Sequence, residues 1–204
     1  DPSLTLDLPK EITAGTGMDA LAHCIEAYSS PFYHPMAEGT AVEGLRLVKE
    51  NIQEVYHNGS NIEARAHMLV ASMMGAAAFQ KGLGAIHSIT HPVNSLYHTH
   101  HGTTNGTVMP FVLNFNRSVI EKKFDRLANF LNISHGFEGI VNWIIDLKKE
   151  MEIPETLKEM GVNNGDEVKL APLAQEDPST GGNPLEMNEN KFQELIFNCI
   201  EGKY

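Results

Sequence analysis

Helical periodicity runs the length of this chain, and no run of alternating strand residues opposes it. Ala37, Ala41, Leu45, Val48, Ile52 and Val55 recur at steps of four and three, the mark of one buried stripe. Pro35 occupies the first-turn position that a helix tolerates, and Gly59 within His57-Asn58-Gly59-Ser60 supplies the stop. Thr16 reads as the N-cap of a helix from about Gly17 to Tyr28, ended by Ser29-Ser30-Pro31. A helix from about Asn61 to Gln80 carries Ala71, Ser72, Gly75, Ala76 and Ala78, small residues that suit the centre of a bundle. After Gly82 and Gly84 a further stretch from about Ala85 leads into His91-Pro92. Helices are expected near Gly106–Ser118, Val119–Leu131, Gly136–Glu150 and Glu155–Met160, with Phe192, Leu195, Ile196 and Cys199 marking the last one. The segment Gly161–Asn188 is rich in Asn, Gly, Asp and Pro and is expected to be partly irregular. Leu4-Thr5-Leu6-Asp7-Leu8 is the one extended candidate, so residues 1–9 read as an extended lead-in. The expectation is an all-α, multi-helix bundle forming one domain over residues 1–204.

Composition removes several functional classes. A hydrophobic fraction of 42% in 204 residues is an ordinary globular value and argues against disorder. No stretch approaches the roughly 18 apolar residues of a membrane span. Met68–Phe79 comes nearest but contains Ser72 and Gly75, and reads as a buried helix, so no membrane partner is expected. The net charge is −11, with 15 scattered basic residues against 26 acids, so a nucleic-acid partner is not expected either. No basic stretch followed by an apolar core opens the chain. Cys24 and Cys199 lie far apart in helix-like segments, which suits a reducing, cytoplasmic setting without disulfides.

The histidines carry the chemistry. His87, His91, His98, His100 and His101 crowd into one short stretch. Asp19 and His23 stand four apart on a helix and therefore face the same way, as do His87 and His91. A carboxylate with imidazoles suits Zn²⁺ or Fe²⁺, and the lack of a thiolate cluster excludes a structural cysteine-type zinc site. Such a donor set commonly leaves one coordination position for water or substrate. Each pair alone is weak, because a local Asp–His contact on a helix is common without an ion.

Two segments resemble the iron-containing (group III) alcohol dehydrogenase family. Gly17-Met18-Asp19-Ala20-Leu21-Ala22-His23-Cys24-Ile25-Glu26-Ala27-Tyr28 is similar to its first metal motif. Residues 82–102, GLGAIHSITHPVNSLYHTHHG, are similar to its second, with His87, His91-Pro92 and His101-Gly102 in the signature positions. Asn105, Met109-Pro110 and Phe115-Asn116 fit the continuation, Asp1-Pro2 and Leu8-Pro9 the lead-in, and Ile153-Pro154, Leu157 and Gly161-Val162 the downstream part. The resemblance implies metal ligands at Asp19, His23, His87 and His101. It implies that His91 lies by the nicotinamide and the reacting carbon, where it positions substrate or relays a proton. The activity implied is NAD(P)-linked oxidation of an alcohol or reduction of an aldehyde or ketone, with Fe²⁺ preferred and Zn²⁺ as the alternative ion.

The same resemblance implies a two-domain enzyme whose helical half is the C-terminal one. No Gly-rich turn here follows a strand and opens a helix, so the α/β nucleotide-binding domain is expected to be absent from this chain. The start at Asp1 fits that expectation, and the chain alone is expected to bind metal but show little or no turnover. The missing N-terminal domain, a small alcohol or aldehyde and a second copy of the chain are the expected partners. Leu185 follows Asn183-Pro184 where the family carries Arg, which removes any charge role there. A metal-dependent hydrolase using the same ligands, and a non-catalytic helical association domain, are the competing readings. Among the remaining candidates, His34, His57 and His135 read as surface residues, His67 as part of a polar helix face, and Cys24 as a packed core thiol. Glu26, three residues from His23, reads equally as a partner of that histidine or as a core-edge acid.

Overall fold

The first helix, α1 (Lys10–Ser29), begins well before Gly17, because Pro9 rather than Thr16 precedes it. The Thr16 hydroxyl is satisfied inside the helix, donating to the Ile12 carbonyl at 2.7 Å. Gly15 and Gly17 therefore lie within the helix, and their bare backbones admit close neighbours: a Cβ on Gly15 would meet the His100 ring at 2.5 Å and one on Gly17 would meet Ile52 at 2.8 Å. The computed structural model, which describes residues 1–204, continues with α2 (Pro35–His57), α3 (Ile62–Ala78), α4 (Ala85–Tyr97), α5 (His101–Phe130), α6 (Gly136–Glu150), α7 (Glu167–Glu176) and α8 (Glu189–Glu201). There is no strand, so the chain is an all-α bundle.

Three local expectations need correction. Residues 1–9 are not an extended lead-in: Pro2–Thr5 is a 3-10 turn, nucleated by Pro2 and by the Asp1 carboxylate accepting from the Ser3 N–H at 2.9 Å. The two helices expected at Gly106–Ser118 and Val119–Leu131 are one helix, α5, which carries Pro110 in its interior. Burial of Val108, Met109, Phe111, Val112 and Leu113 around that proline outweighs the lost backbone hydrogen bond. Glu155–Met160 holds only the 3-10 turn Lys158–Met160. Gly161–Asn188 is partly irregular as expected, with α7 and the 3-10 turn Pro178–Gly182 set between irregular stretches.

α1 rather than α3 is the centre of the bundle. Met18, Leu21, Cys24, Ile25 and Tyr28 are all buried, and α1 packs against α2, α3 and α5. The small residues of α3 serve one side only: a Cβ on Gly75 would lie 3.0 Å from His23 Cβ, while Leu69, Val70 and Met73 face outward. No single helix is long and apolar enough to cross a membrane.

The C-terminus of α1 is held by Lys81. Its fully buried Nζ donates to the carbonyls of Ala27 (2.9 Å), Tyr28 (3.3 Å) and Ser30 (2.6 Å) and pairs with Glu38 at 3.0 Å. A cation at a helix C-terminus meets both the orphan carbonyls and the negative end of the dipole. Lys81→Met is expected to cost about 3 kcal/mol, since three buried carbonyls and Glu38 lose their partner together. Urea unfolding of the two chains checks this, and a loss below about 1 kcal/mol would show the cap to be dispensable.

Candidate metal centre

α1, α4 and α5 meet at the site. Asp19 leaves α1, His87 stands in the first turn of α4, and His101 is the first residue of α5. The crossing of α1 and α5 is unusually close because glycine faces glycine. A Cβ on Gly102 would lie 1.9 Å from the Gly15 carbonyl oxygen and 3.1 Å from Asp19 Cβ. α4 ends at His98, whose left-handed backbone (φ 55°) reverses the chain so that His101 returns to His87.

One ligand atom each from Asp19, His87 and His101 lie within 4.8 Å of one another. Asp19 Oδ1 is 3.3 Å from His101 Nε2 and 3.7 Å from His87 Nε2. Both imidazoles are oriented by their other nitrogen. His87 Nδ1 meets Glu26 Oε2 at 2.6 Å, with both side chains buried. His101 Nδ1 meets Asn94 Oδ1 at 3.0 Å, and the Asn94 amide nitrogen is committed to Thr99 and Thr104. A carboxylate and an amide oxygen can only accept, so each Nδ1 carries the hydrogen and each Nε2 turns toward Asp19. This donor set fits a divalent ion: one anionic oxygen, two imidazole nitrogens of defined tautomer, and an open side where His101 is partly exposed.

His23 stands beside this group rather than in it. Its Nδ1 is 3.7 Å from Asp19 Oδ2, and its ring packs between His87 (centroids 4.8 Å, stacked) and Phe79 (5.2 Å). His91, one turn after His87, lies parallel to His101 at 5.5 Å and gives its Nδ1 to Asp177 Oδ2 at 2.7 Å. Its side chain is 43% exposed.

The electrostatics follow from this packing. Burial opposes ionisation of Asp19, but His101, His87 and His23 outweigh it and hold the carboxyl far below the usual carboxylate range. Burial likewise opposes a charge on His87, and the Asp19 and Glu26 carboxylates overcome it, raising its pKa to about 9. The same pair makes His87 a strong donor to a cation, which competes with the proton for one lone pair. His23 moves the other way: burial lowers its pKa against the pull of Asp19.

Three supporting residues escaped sequence reading. Asn94 and Asp177 carried no signal, Asp177 because it follows α7 in a segment read as irregular and meets a histidine 86 residues away. Asn105 was visible only as part of a motif's continuation, yet its amide nitrogen is 2.7 Å from Asp19 Oδ1. The other histidines take ordinary roles: His34 caps α2, His57 pairs with Glu150, and His67 meets Asn51. Cys24 is a core thiol, its pKa pushed up to about 12 by burial.

Residues 13–199 match the model described as Fe-containing alcohol dehydrogenase family, C-terminal. The chain is 38% identical to a 4-hydroxybutyrate dehydrogenase of Cupriavidus necator over 96% of its own length and 53% of that protein's. It is 33% identical to a 1,3-propanediol dehydrogenase of Citrobacter freundii, with the same coverages. Among solved structures it superposes on a 1,3-propanediol oxidoreductase with a TM-score of 0.93 at 31% identity, covering 98% of this chain and 55% of that one. The chain thus spans about half the length of the relatives it matches. By motif, fold and similarity together, it belongs to the Fe-containing alcohol dehydrogenase family, as an all-α domain of the kind that family's C-terminal model describes.

Proposed function

We propose that residues 1–204 act as the metal-binding domain of an NAD(P)-linked alcohol dehydrogenase, with Asp19, His87 and His101 holding a divalent cation and His23 completing the set. Fe²⁺ is the first choice and Zn²⁺ the second, since carboxylate and imidazole donors accept both. The observation that carries the reading is the convergence of three ligand atoms within 4.8 Å from elements distant in the chain. The relatives' names point to small primary alcohols and their aldehydes as the substrate class. NAD or NADP is assigned to a nucleotide-binding domain in the part of the relatives' length that this chain does not span, and any second copy would associate through the longer protein.

A bound divalent ion supplies Lewis acidity toward an alcohol or carbonyl oxygen. The chain's own groups prepare that chemistry. Asp19 brings the negative charge that retains the cation. Glu26 and Asn94 keep the Nε2 lone pairs of His87 and His101 turned inward. Asp177 holds the hydrogen on His91 Nδ1, which leaves Nε2 of this partly exposed ring as the acceptor. That nitrogen is placed to take a proton from a substrate hydroxyl during oxidation and to return it during reduction.

The test is metal content. Wild-type chain, stripped with chelator and given Zn²⁺ or Fe²⁺, is expected to retain one ion and to gain about 2.7 kcal/mol of stability at a hundredfold excess over the dissociation constant. Asp19→Ala is expected to lose both. Equal retention by the variant would refute the assignment. The chain alone is expected to show no alcohol-dependent reduction of NAD.

A further inference from the structure

We infer that Asn105 is a positioning residue of the metal centre, one that occupies the ligand set when no ion is bound and must withdraw from part of it when one enters. The inference rests on the proposed ion site and extends it to a side chain that is not itself a ligand.

Asn105 lies one helical turn after His101 on α5 and is completely buried. Its Nδ2 is 2.7 Å from Asp19 Oδ1, 3.2 Å from His101 Nε2 and 3.3 Å from His87 Nε2. One nitrogen thus faces all three candidate ligand atoms. Its Oδ1, by contrast, is buried with no hydrogen-bond partner. Buried polar atoms in folded proteins are rarely left unpaired. The amide is therefore oriented by its nitrogen end alone, and what orients it is the ligand set. The nitrogen end, not the oxygen, is the one turned to the Asp19 carboxylate oxygen, at 2.7 Å.

An amide nitrogen has two hydrogens. The nearest acceptors, Asp19 Oδ1 and His101 Nε2, take them. The His101 nitrogen has a single in-plane lone pair, because its Nδ1 hydrogen is committed to Asn94. That lone pair can accept the Asn105 hydrogen or bind a cation, not both. The Asp19 carboxylate has lone pairs to spare and keeps its bond to Asn105 in either state. The asymmetry gives Asn105 two effects. It steadies the carboxylate throughout, and it satisfies the His101 Nε2 lone pair only while the ion is away.

The ion-free state should therefore depend on Asn105 more than the loaded state does. The measurement is the thermal midpoint of the chain without metal and with saturating Zn²⁺, for wild type, Asn105→Leu and Asn105→Asp. In Asn105→Leu the ion-free midpoint is expected to fall more than the zinc-loaded one, so that the zinc-induced rise exceeds wild type's by about 2–4 °C. Asn105→Asp sets a second carboxylate against Asp19, and its zinc-induced rise is expected to be larger still. Equal losses in both states would mean that Asn105 merely fills space and would overturn the inference, as would a smaller zinc-induced rise. Wild type gives an independent readout should the variants not fold. The Asn105 side-chain NH₂ resonance of ¹⁵N-labelled chain is expected to shift on adding Zn²⁺, and an unmoved resonance on a zinc-bound chain would also overturn the inference. Absence of any zinc response in wild type would instead defeat the ion site itself, and this inference with it.

Discussion

Gly102→Ala is expected to destabilise the chain by roughly 3 kcal/mol and to weaken its hold on a divalent ion about 10–100-fold. The cause is a backbone contact, not a side chain. An alanine Cβ at this position would sit 1.9 Å from the Gly15 carbonyl oxygen and 3.1 Å from Asp19 Cβ. A carbon and a carbonyl oxygen do not approach much closer than about 3.3 Å. Neither group is the end of a flexible side chain, so α1 and α5 must move apart. Those two helices carry Asp19 and His101, whose ligand atoms are 3.3 Å apart. Separation therefore damages packing and site together. Denaturant unfolding and zinc titration measure the two effects. Gly39→Ala is the control, since a Cβ at that exposed helical position meets nothing within 4 Å. It should stabilise by about 0.5–1 kcal/mol. If Gly102→Ala behaves like Gly39→Ala, the close crossing is not what positions the centre.

Glu26→Ala should be the second large loss. Glu26 is 5% exposed and spends both oxygens within the site's support: Oε2 on His87 Nδ1 at 2.6 Å and Oε1 on the Ile86 N–H at 2.7 Å. Alanine leaves two buried donors without partners and frees the His87 ring to change tautomer. The cost expected is about 3 kcal/mol in folding and about 100-fold in zinc affinity. Glu26→Gln keeps the shape and an acceptor but removes the charge that strengthens His87 as a donor. Its loss of affinity should be smaller, about 10-fold. Zinc competition against a chromophoric chelator orders the three chains. A Glu26→Ala chain that binds zinc as wild type does would show that His87 needs no orienting partner.

The helical class and most helix positions were readable from local pattern. The 3.6-residue stripe of α2 needs only neighbours a turn away, and the structure gives Pro35–His57. The reading failed where a residue's purpose was not local. Gly15, Thr16 and Gly17 look like a helix start because glycine and threonine are poor helix formers. They lie inside α1 because α2 and α5 press against it there. A break is expected between Ser118 and Val119, yet Asn116, Ile120 and Phe124 are buried on either side of it and α5 runs through. Glu26 stands three residues from His23, and that spacing suggested a partnership. Its actual partner, His87, is 61 residues on, beyond any local period.

Helical period determined the all-α class, and i, i+4 spacing paired Asp19 with His23 and His87 with His91, because both are properties of short segments; the family and the full candidate set with His101 came from the resemblance of two motifs. How the ring nitrogens of His87, His91 and His101 are oriented, and which side chains meet Asp19, is decided only in three dimensions. Those outcomes depend on Glu26, Asn94, Asn105 and Asp177 arriving from other helices and turns. A tautomer is chosen by its partner's lone pairs, and the partners meet only once the helices have packed.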